Sequence, residues 1–260
     1  MKVGFIGLGN MGSAFMKGVI RAGKCETIGY DVNEKAAERA AEVGVETVKS
    51  ACEAAEKSDV LFLTVKPQYY ESVIAEIKDS VRAETIVVTV APGKTLLWLS
   101  ERFNRGAKIV RTMPNTPAMI GEGMIAVCPG KELKKAETDA VMALLSVCGR
   151  AEIISEDLID AVVGISGSSP AYFFMMIEAM ADAGVAEGLP RDKAYIFAEQ
   201  AMLGSAKLAL ETGKHPGELK DMVTSPRGTT IEAVQCLEQS GFRAAVTAAC
   251  RAAAEKSREM

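Results

Sequence analysis

Two short stretches of this 260-residue chain carry residue types whose spacing could do chemistry. The first is Gly7-Leu8-Gly9-Asn10-Met11-Gly12, placed directly after the apolar run Lys2–Ile6 and ahead of a helical stretch reaching about Ala22. A G-x-G-x-x-G loop in that setting suits a dinucleotide. Its first glycine permits the turn, its second lets a pyrophosphate approach the backbone, and its third allows close packing of helix on strand. Asn10 and Met11 open the helix, whose free N–H groups would receive the phosphates. A glycine-rich turn without ligand is the alternative. The second stretch is Thr224–Thr230. Pro226, Arg227 and Gly228 make a tight turn, and Thr229 stands three residues before Glu232, the spacing of a capping box. A helix then starts near Thr230, and its unpaired N–H groups, flanked by the hydroxyls of Thr224, Ser225, Thr229 and Thr230, could hold a carboxylate. An ordinary capped helix would have the same residues.

Asp31 ends a second apolar run, roughly twenty residues beyond the glycines, where a carboxylate binds the adenosine ribose 2′-OH and repels a 2′-phosphate. It could equally be a loop residue or a cap for a helix starting near Glu34. Asn33, Lys35 and Arg39 follow closely enough to offset its charge, so NADH and NADPH both stay open.

The late stretch resembles the signature of the pyrroline-5-carboxylate reductases, a KD-x-V-x-SP-x-GTTI run followed by LE and then GFR. Lys220, Asp221, Val223, Ser225, Pro226, Gly228, Thr229, Thr230, Ile231, Leu237, Glu238, Gly241, Phe242 and Arg243 stand in register with it. The resemblance implies a substrate site at Val223, Thr224, Ser225, Gly228, Thr229 and Thr230, with Thr230 the catalytic group placing its hydroxyl at an imine nitrogen. Arg227 departs from the pattern, which usually has glycine there. A positive φ would strain arginine; otherwise it adds a cation beside the carboxylate. Val65-Lys66-Pro67, Ala91-Pro92-Gly93 and Met113-Pro114-Asn115-Thr116-Pro117 also match family motifs. By resemblance, Lys66 and Pro67 would pass beside the ribose, Ala91 and Pro92 would support the nicotinamide, and Asn115 would lie near its amide. Ser166-Gly167-Ser168-Ser169-Pro170-Ala171-Tyr172 resembles the family's SGS-x-PAY motif; Ser168 or Ser169 could face the cleft, with close helix packing the favoured role.

The implied reaction is NAD(P)H-dependent reduction of 1-pyrroline-5-carboxylate to L-proline, the last step of proline biosynthesis, with NADPH the family default and Asp31 leaning toward NADH. An imine that arrives protonated needs no strong base. This fits a chain whose single histidine, His215, precedes Pro216 and reads as a helix-start residue. A β-hydroxyacid dehydrogenase of the same architecture is a rival, but it uses a lysine where Gly164–Glu178 has none. A dinucleotide-sensing oligomer without turnover is a second rival.

The elements that would position these groups are alternating strands and helices, the pattern of a sheet covered on both faces. Lys2–Ile6, Thr27–Tyr30, Val60–Thr64, Thr85–Thr89 and Lys108–Thr112 read as strands, with Met124–Val127 and Ala151–Ile154 extending the sheet. Glu34–Val43 and Tyr69–Val81 carry helical periodicity. The fold class is therefore α/β: a Rossmann-type, doubly wound parallel sheet over residues 1–154, then an all-α domain over residues 155–260 for substrate binding and dimerisation. In the latter, Asp157–Gly164, Ala171–Glu187, Arg191–Thr212, Pro216–Val223, Thr230–Gln239 and Arg243–Ser257 read as helices, with a break or kink over Gly164–Pro170. The segment AYFFMMIEAMADAGVAEG is apolar around most of its circumference, so it must be buried on several sides. Either it crosses its own domain or it meets another subunit. A dimer or larger homo-oligomer is favoured, and family members pair through interlocked helical domains.

A net charge of −4 without a basic stripe disfavours nucleic acid as a partner. Six scattered cysteines with no C-x-x-C pair argue against a zinc site or a disulfide framework, so no metal is expected. With no signal-peptide pattern after Met1 and no apolar run of membrane-spanning length, the expected location is cytoplasmic and no membrane partner is expected.

Overall fold

The computed structural model describes residues 1–23 and 25–260. Short β-branched runs, apolar at successive positions, form the central strands, because strands covered by helices on both faces need apolar side chains on both. With the edge strands included, the sheet comprises β1 (Lys2–Ile6), β2 (Glu26–Tyr30), β3 (Glu46–Thr47), β4 (Val60–Leu63), β5 (Ile86–Thr89), β6 (Lys108–Met113), β7 (Gly123–Pro129) and β8 (Gly149–Ile153). Their order is β3-β2-β1-β4-β5-β6-β7-β8. Between them lie α1 (Asn10–Ala22), α2 (Glu34–Glu42), α3 (Ala51–Lys57), α4 (Tyr70–Ile77), α5 (Leu96–Ser100) and α6 (Lys135–Leu145).

The first six strands are parallel, the expected doubly wound arrangement. β7 departs from it by running antiparallel to β6, with β8 parallel to β7. Residues 114–122 are the reason: so short a connection cannot make the crossover of about a dozen residues or more that a parallel neighbour needs. Strand order reverses between β1 and β4, which opens a crevice at their carboxyl ends. Under one face of the sheet Phe5 and Phe62 stack at 4.9 Å, with Phe15 against Phe62 at 5.3 Å. All three are fully buried, and each stabilises the fold by roughly 1.5–3 kcal/mol. Leu61, Leu63, Ile74, Ile77 and Val87 form the core of the opposite face.

Beyond β8 the chain is helical: α7 (Ile159–Val162), α8 (Ser169–Ala186), α9 (Arg191–Thr212), α10 (Pro216–Met222), α11 (Thr229–Gln239) and α12 (Phe242–Arg258). Where a break or kink is expected over Gly164–Pro170, the helix continues through a π-turn at Val163–Gly167, in which the Ser168 N–H donates to the Val163 carbonyl at 2.8 Å. Pro170 has no N–H for the carbonyl four residues back, that of Ser166, and wider winding accommodates it. One helical run, Glu156–Ala186, results. By length and composition alone it is long and apolar enough to cross a membrane, contrary to the expectation that no such run exists.

The chain packs as two compact units, Met1–Ser168 with Ala252–Met260, and Ser169–Arg251. The switch from strands to helices follows β8, while packing assigns residues 156–168 and the final residues to the sheet unit. In the second unit α8 packs along α9. Only Ser169, Pro170 and Ala181 of α8 are buried. Phe174 and Met175 of α8, with Phe197 and Leu210 of α9, are 65%, 69%, 65% and 72% exposed. Within one chain, α8 therefore does not cross the interior of its own domain.

Candidate functional site

The glycine loop stands at the crevice between β1 and β4. Gly7 has a φ of +94°, and a Cβ there would meet the backbone of Thr64 and Val65 at 2.8 Å. The Thr64 hydroxyl donates to the Gly7 carbonyl at 2.5 Å, tying the turn to the end of β4. A Cβ on Gly12 would fall 2.0 Å from that same carbonyl, so only glycine lets α1 approach the strand. Around Gly9 the space is open: a Cβ would meet nothing within 4 Å. Gly9 caps α1 without a side-chain hydrogen bond, and Asn10, Met11 and Gly12 form its first turn, with N–H groups available to an anion.

Asp31 folds back onto this loop. Its Oδ2 accepts from the Leu8 N–H at 2.6 Å, and its Oδ1 accepts from the Asn33 N–H at 2.8 Å. The α2 cap is not Asp31 but Asn33, whose side chain accepts from the Lys35 N–H at 3.1 Å. Gly7, Gly9, Asp31, Val65 and Lys66 share a cavity of about 240 Å³. Pro67 begins the 3₁₀ turn that follows it.

A second cavity, about 310 Å³, lies at the ends of β5 and β6. Pro92, Met113 and Pro114 form its sheet side, and Val163, Gly167 and Ser168 of the π-turn face them. Ala91, 2% exposed, is packed in the core of the sheet's α4–α5 face. Asn115 is engaged at both ends of its amide: Nδ2 donates to the Ser166 carbonyl at 3.0 Å and Oδ1 accepts from the Met124 N–H at 2.9 Å. The carbonyl that Pro170 cannot satisfy thus finds its donor in Asn115. Tyr70, fully buried, donates to the Leu63 carbonyl at 2.5 Å and accepts from the Val90 N–H at 3.2 Å, which joins the ends of β4 and β5. Burial pushes its phenol well above the ordinary tyrosine range, keeping it a donor.

In the second unit, Val223 ends α10 and Gly228, in extended backbone, caps α11. The helix begins at Thr229, one residue before the expected start, and no side chain caps it. The expected Thr229–Glu232 capping box is therefore not formed: Thr229 sits inside the first turn, where its hydroxyl cannot serve as the cap. The Gly228 N–H donates to the Ser225 carbonyl at 3.0 Å, and a Cβ on Gly228 would lie 2.4 Å from Ser225 Oγ. The Thr224 hydroxyl donates to the Lys220 and Asp221 carbonyls at 3.2 and 3.1 Å, closing α10. Arg227 has a φ of +60°, so the position does call for the left-handed region. His215 caps α10, its Nδ1 accepting from the Gly217 N–H at 3.0 Å.

Sequence reasoning missed two polar contacts, one between β6 and the start of the helical run and one between that run and the last helix. Arg111, 4% exposed, donates to Glu156 Oε1 at 2.7 Å, and the same oxygen accepts from the Leu96 N–H at 2.7 Å. An arginine inside the apolar run KIVRTM was the available signal. The Ser257 hydroxyl donates to Asp160 Oδ1 at 2.6 Å, fixing the end of α12 against α7. No local pattern announces that the last helix returns to the sheet unit.

Residues 156–260 match a family model described as pyrroline-5-carboxylate reductase dimerisation, and residues 2–93 match one described as NADP oxidoreductase, coenzyme F420-dependent. The chain is 47% identical over 263 residues to the pyrroline-5-carboxylate reductase of Escherichia coli (strain K12), with 100% of this chain and 98% of that protein covered. It is also similar to a solved structure of the Plasmodium falciparum pyrroline carboxylate reductase with NADP bound, at a TM-score of 0.90 and 31% identity, covering 100% and 97% of the two chains. A pyrroline-5-carboxylate reductase structure from Coxiella burnetii gives a TM-score of 0.92 at 31% identity over 99% and 97%.

Proposed function

The chain belongs to the pyrroline-5-carboxylate reductase family, and we propose from that premise how its residues carry the reaction. It is an NAD(P)H-dependent imine reductase that converts 1-pyrroline-5-carboxylate to L-proline. The observation that carries the cofactor reading is the glycine loop, where Gly7 and Gly12 admit no Cβ while Gly9 faces open space. That is the shape a pyrophosphate needs beside a helix start.

Gly7, Gly9, Asn10, Met11 and Gly12 hold the pyrophosphate, Asp31 the adenosine ribose, and Val65, Lys66 and Pro67 the cofactor's flank. Ala91 and Pro92 back the nicotinamide, with Asn115 bracing the loop beside it. When bound, the reduced nicotinamide supplies the hydride. Asp31 presents a carboxylate where a 2′-phosphate would lie, which favours NADH, although the Plasmodium falciparum relative was solved with NADP. Residues 1–154 serve the cofactor, and residues 155–260 serve the substrate and self-association.

The turn from Val223 to Thr230 holds the substrate carboxylate through the first N–H groups of α11, the Ser225 hydroxyl and the space kept by Gly228. Thr224 and Thr229 shape that turn. A helix terminus contributes up to about 2 kcal/mol to such binding when partly buried. Orienting the reacting carbons contributes more, roughly 7–11 kcal/mol of barrier lowering. Thr230 holds the proton on the imine nitrogen through its hydroxyl. No strong base is required, consistent with His215 serving as a helix cap.

The uncovered apolar residues of α8 and α9 favour a homo-oligomer, at least a dimer, since a patch of that kind marks an interface. The same association would cover the apolar run Glu156–Ala186 and leave the protein cytoplasmic. Steady-state oxidation of NADH and NADPH with 1-pyrroline-5-carboxylate and a small panel of cyclic imines tests the proposal. Binding without oxidation would favour a dinucleotide sensor.

A further inference from the structure

The second cavity, between the loops at the ends of β5 and β6 and the π-turn, is largely apolar. Of the residues lining it, only Ser168, Lys256 and Ser257 have polar side chains. Two of these are engaged: Ser257 donates to Asp160, and Lys256 Nζ lies 2.9 Å from Glu259 Oε2. Among the described residues, the Ser168 hydroxyl makes no hydrogen bond. Its backbone N–H, by contrast, closes the π-turn.

A nicotinamide backed by Ala91 and Pro92 would bring its carboxamide toward this space, and a carboxamide taken from water needs a hydrogen-bonding partner. Asn115, which the family resemblance puts near that carboxamide, has Nδ2 donating to the Ser166 carbonyl and Oδ1 accepting from the Met124 N–H. We infer that Ser168, delivered to the cavity wall by the π-turn, is the side chain that hydrogen-bonds the nicotinamide carboxamide, while Asn115 braces the loop from behind. The inference rests on the cofactor reading given above. It also gives the π-turn a function: the wider winding that accommodates Pro170 leaves Ser168 lining the cavity that Pro92, Met113 and Pro114 also line.

The test compares NADH with ADP-ribose, which keeps the adenosine, pyrophosphate and second ribose but lacks the nicotinamide. Binding of each is measured by titration calorimetry to the full-length wild type, Ser168→Ala and Ser168→Thr. Loss of one hydrogen bond should raise the NADH Kd of Ser168→Ala about 3- to 10-fold. The ADP-ribose Kd should stay at the wild-type value, and Ser168→Thr, which keeps the hydroxyl, should recover NADH affinity. Unchanged NADH binding in Ser168→Ala would overturn the assignment, as would equal weakening of both ligands or a threonine variant that behaves like alanine. Wild-type protein that binds neither ligand would instead overturn the cofactor reading on which the assignment rests.

Discussion

The backbone N–H of Leu8 donates to Asp31 Oδ2 at 2.6 Å, so the carboxylate at the end of β2 fastens the glycine loop of α1. Asp31 thus shapes the loop, and on the proposed reading it also sets the charge beside the adenosine ribose. Asp31→Ser should raise activity with NADPH relative to NADH by about tenfold, because unit charges at about 4 Å repel by about 1 kcal/mol even in bulk water and by more near a protein surface. The same variant should lose roughly 1.5–3 kcal/mol from the hydrogen bonds to a charged acceptor. A lowered Tm with an unchanged cofactor ratio would leave Asp31 a loop fastener only.

The hydroxyl of Thr230 is assigned to the imine nitrogen. Thr230→Ala should keep the Kd for NADH and reduce kcat/KM with 1-pyrroline-5-carboxylate by about 100-fold, the lower end of what a positioned proton-transfer group contributes. Stopped-flow turnover and cofactor titration separate the two. Normal turnover would mean that the substrate lies elsewhere.

Arg227, at a φ of +60°, is the non-glycine residue with positive φ among those described. Left-handed backbone costs arginine roughly 1–2 kcal/mol, while glycine brings back about 0.5–1 kcal/mol of chain entropy. Arg227→Gly should therefore raise Tm by about 1–3 °C. If KM for the substrate rises at the same time, the guanidinium is also a carboxylate contact. A lower Tm would mean that Arg227 makes stabilising contacts outweighing its strain.

Burial pushes the thiols of Cys128 and Cys148 up to about 11. An unfolded cysteine ionises near about 8.5, so between that value and 11 the unfolded state releases protons before the folded one. Stability is then lost as pH rises through this window, and below it these thiols have no such effect. The Tm should fall between pH 8 and pH 10.5, and less steeply in a variant with both cysteines replaced by alanine. At pH 8 a thiol-titrating reagent should react with exposed Cys236 and leave Cys128 and Cys148 unmodified. Fast labelling of either buried thiol would contradict this.

Much of the sheet unit was legible because its signals are local. β1 has the bounds its pattern indicates, as does α9 in the second unit, and the three glycines stand where strand, turn and helix require them. β3 escaped because two exposed residues, Glu46 and Thr47, carry no pattern. The direction of β7 was set by the length of the connection before it, which hydrophobic periodicity does not report. Pro170 pointed to a break or kink because proline lacks a donor. The donor came from Asn115, far away in sequence, and no local rule could supply it. The same contact holds the loop that the family resemblance places beside the nicotinamide.

Hydride transfer to the cyclic imine leaves an isotopic record in the product. The protein is incubated with 1-pyrroline-5-carboxylate and NADH deuterated on either face of nicotinamide C4, and the product is analysed by mass spectrometry and NMR. Proline carrying one deuterium on the former imine carbon, from one of the two labelled cofactors, is the expected result. Cofactor that binds and stays reduced, or proline that never acquires the label, would contradict the account.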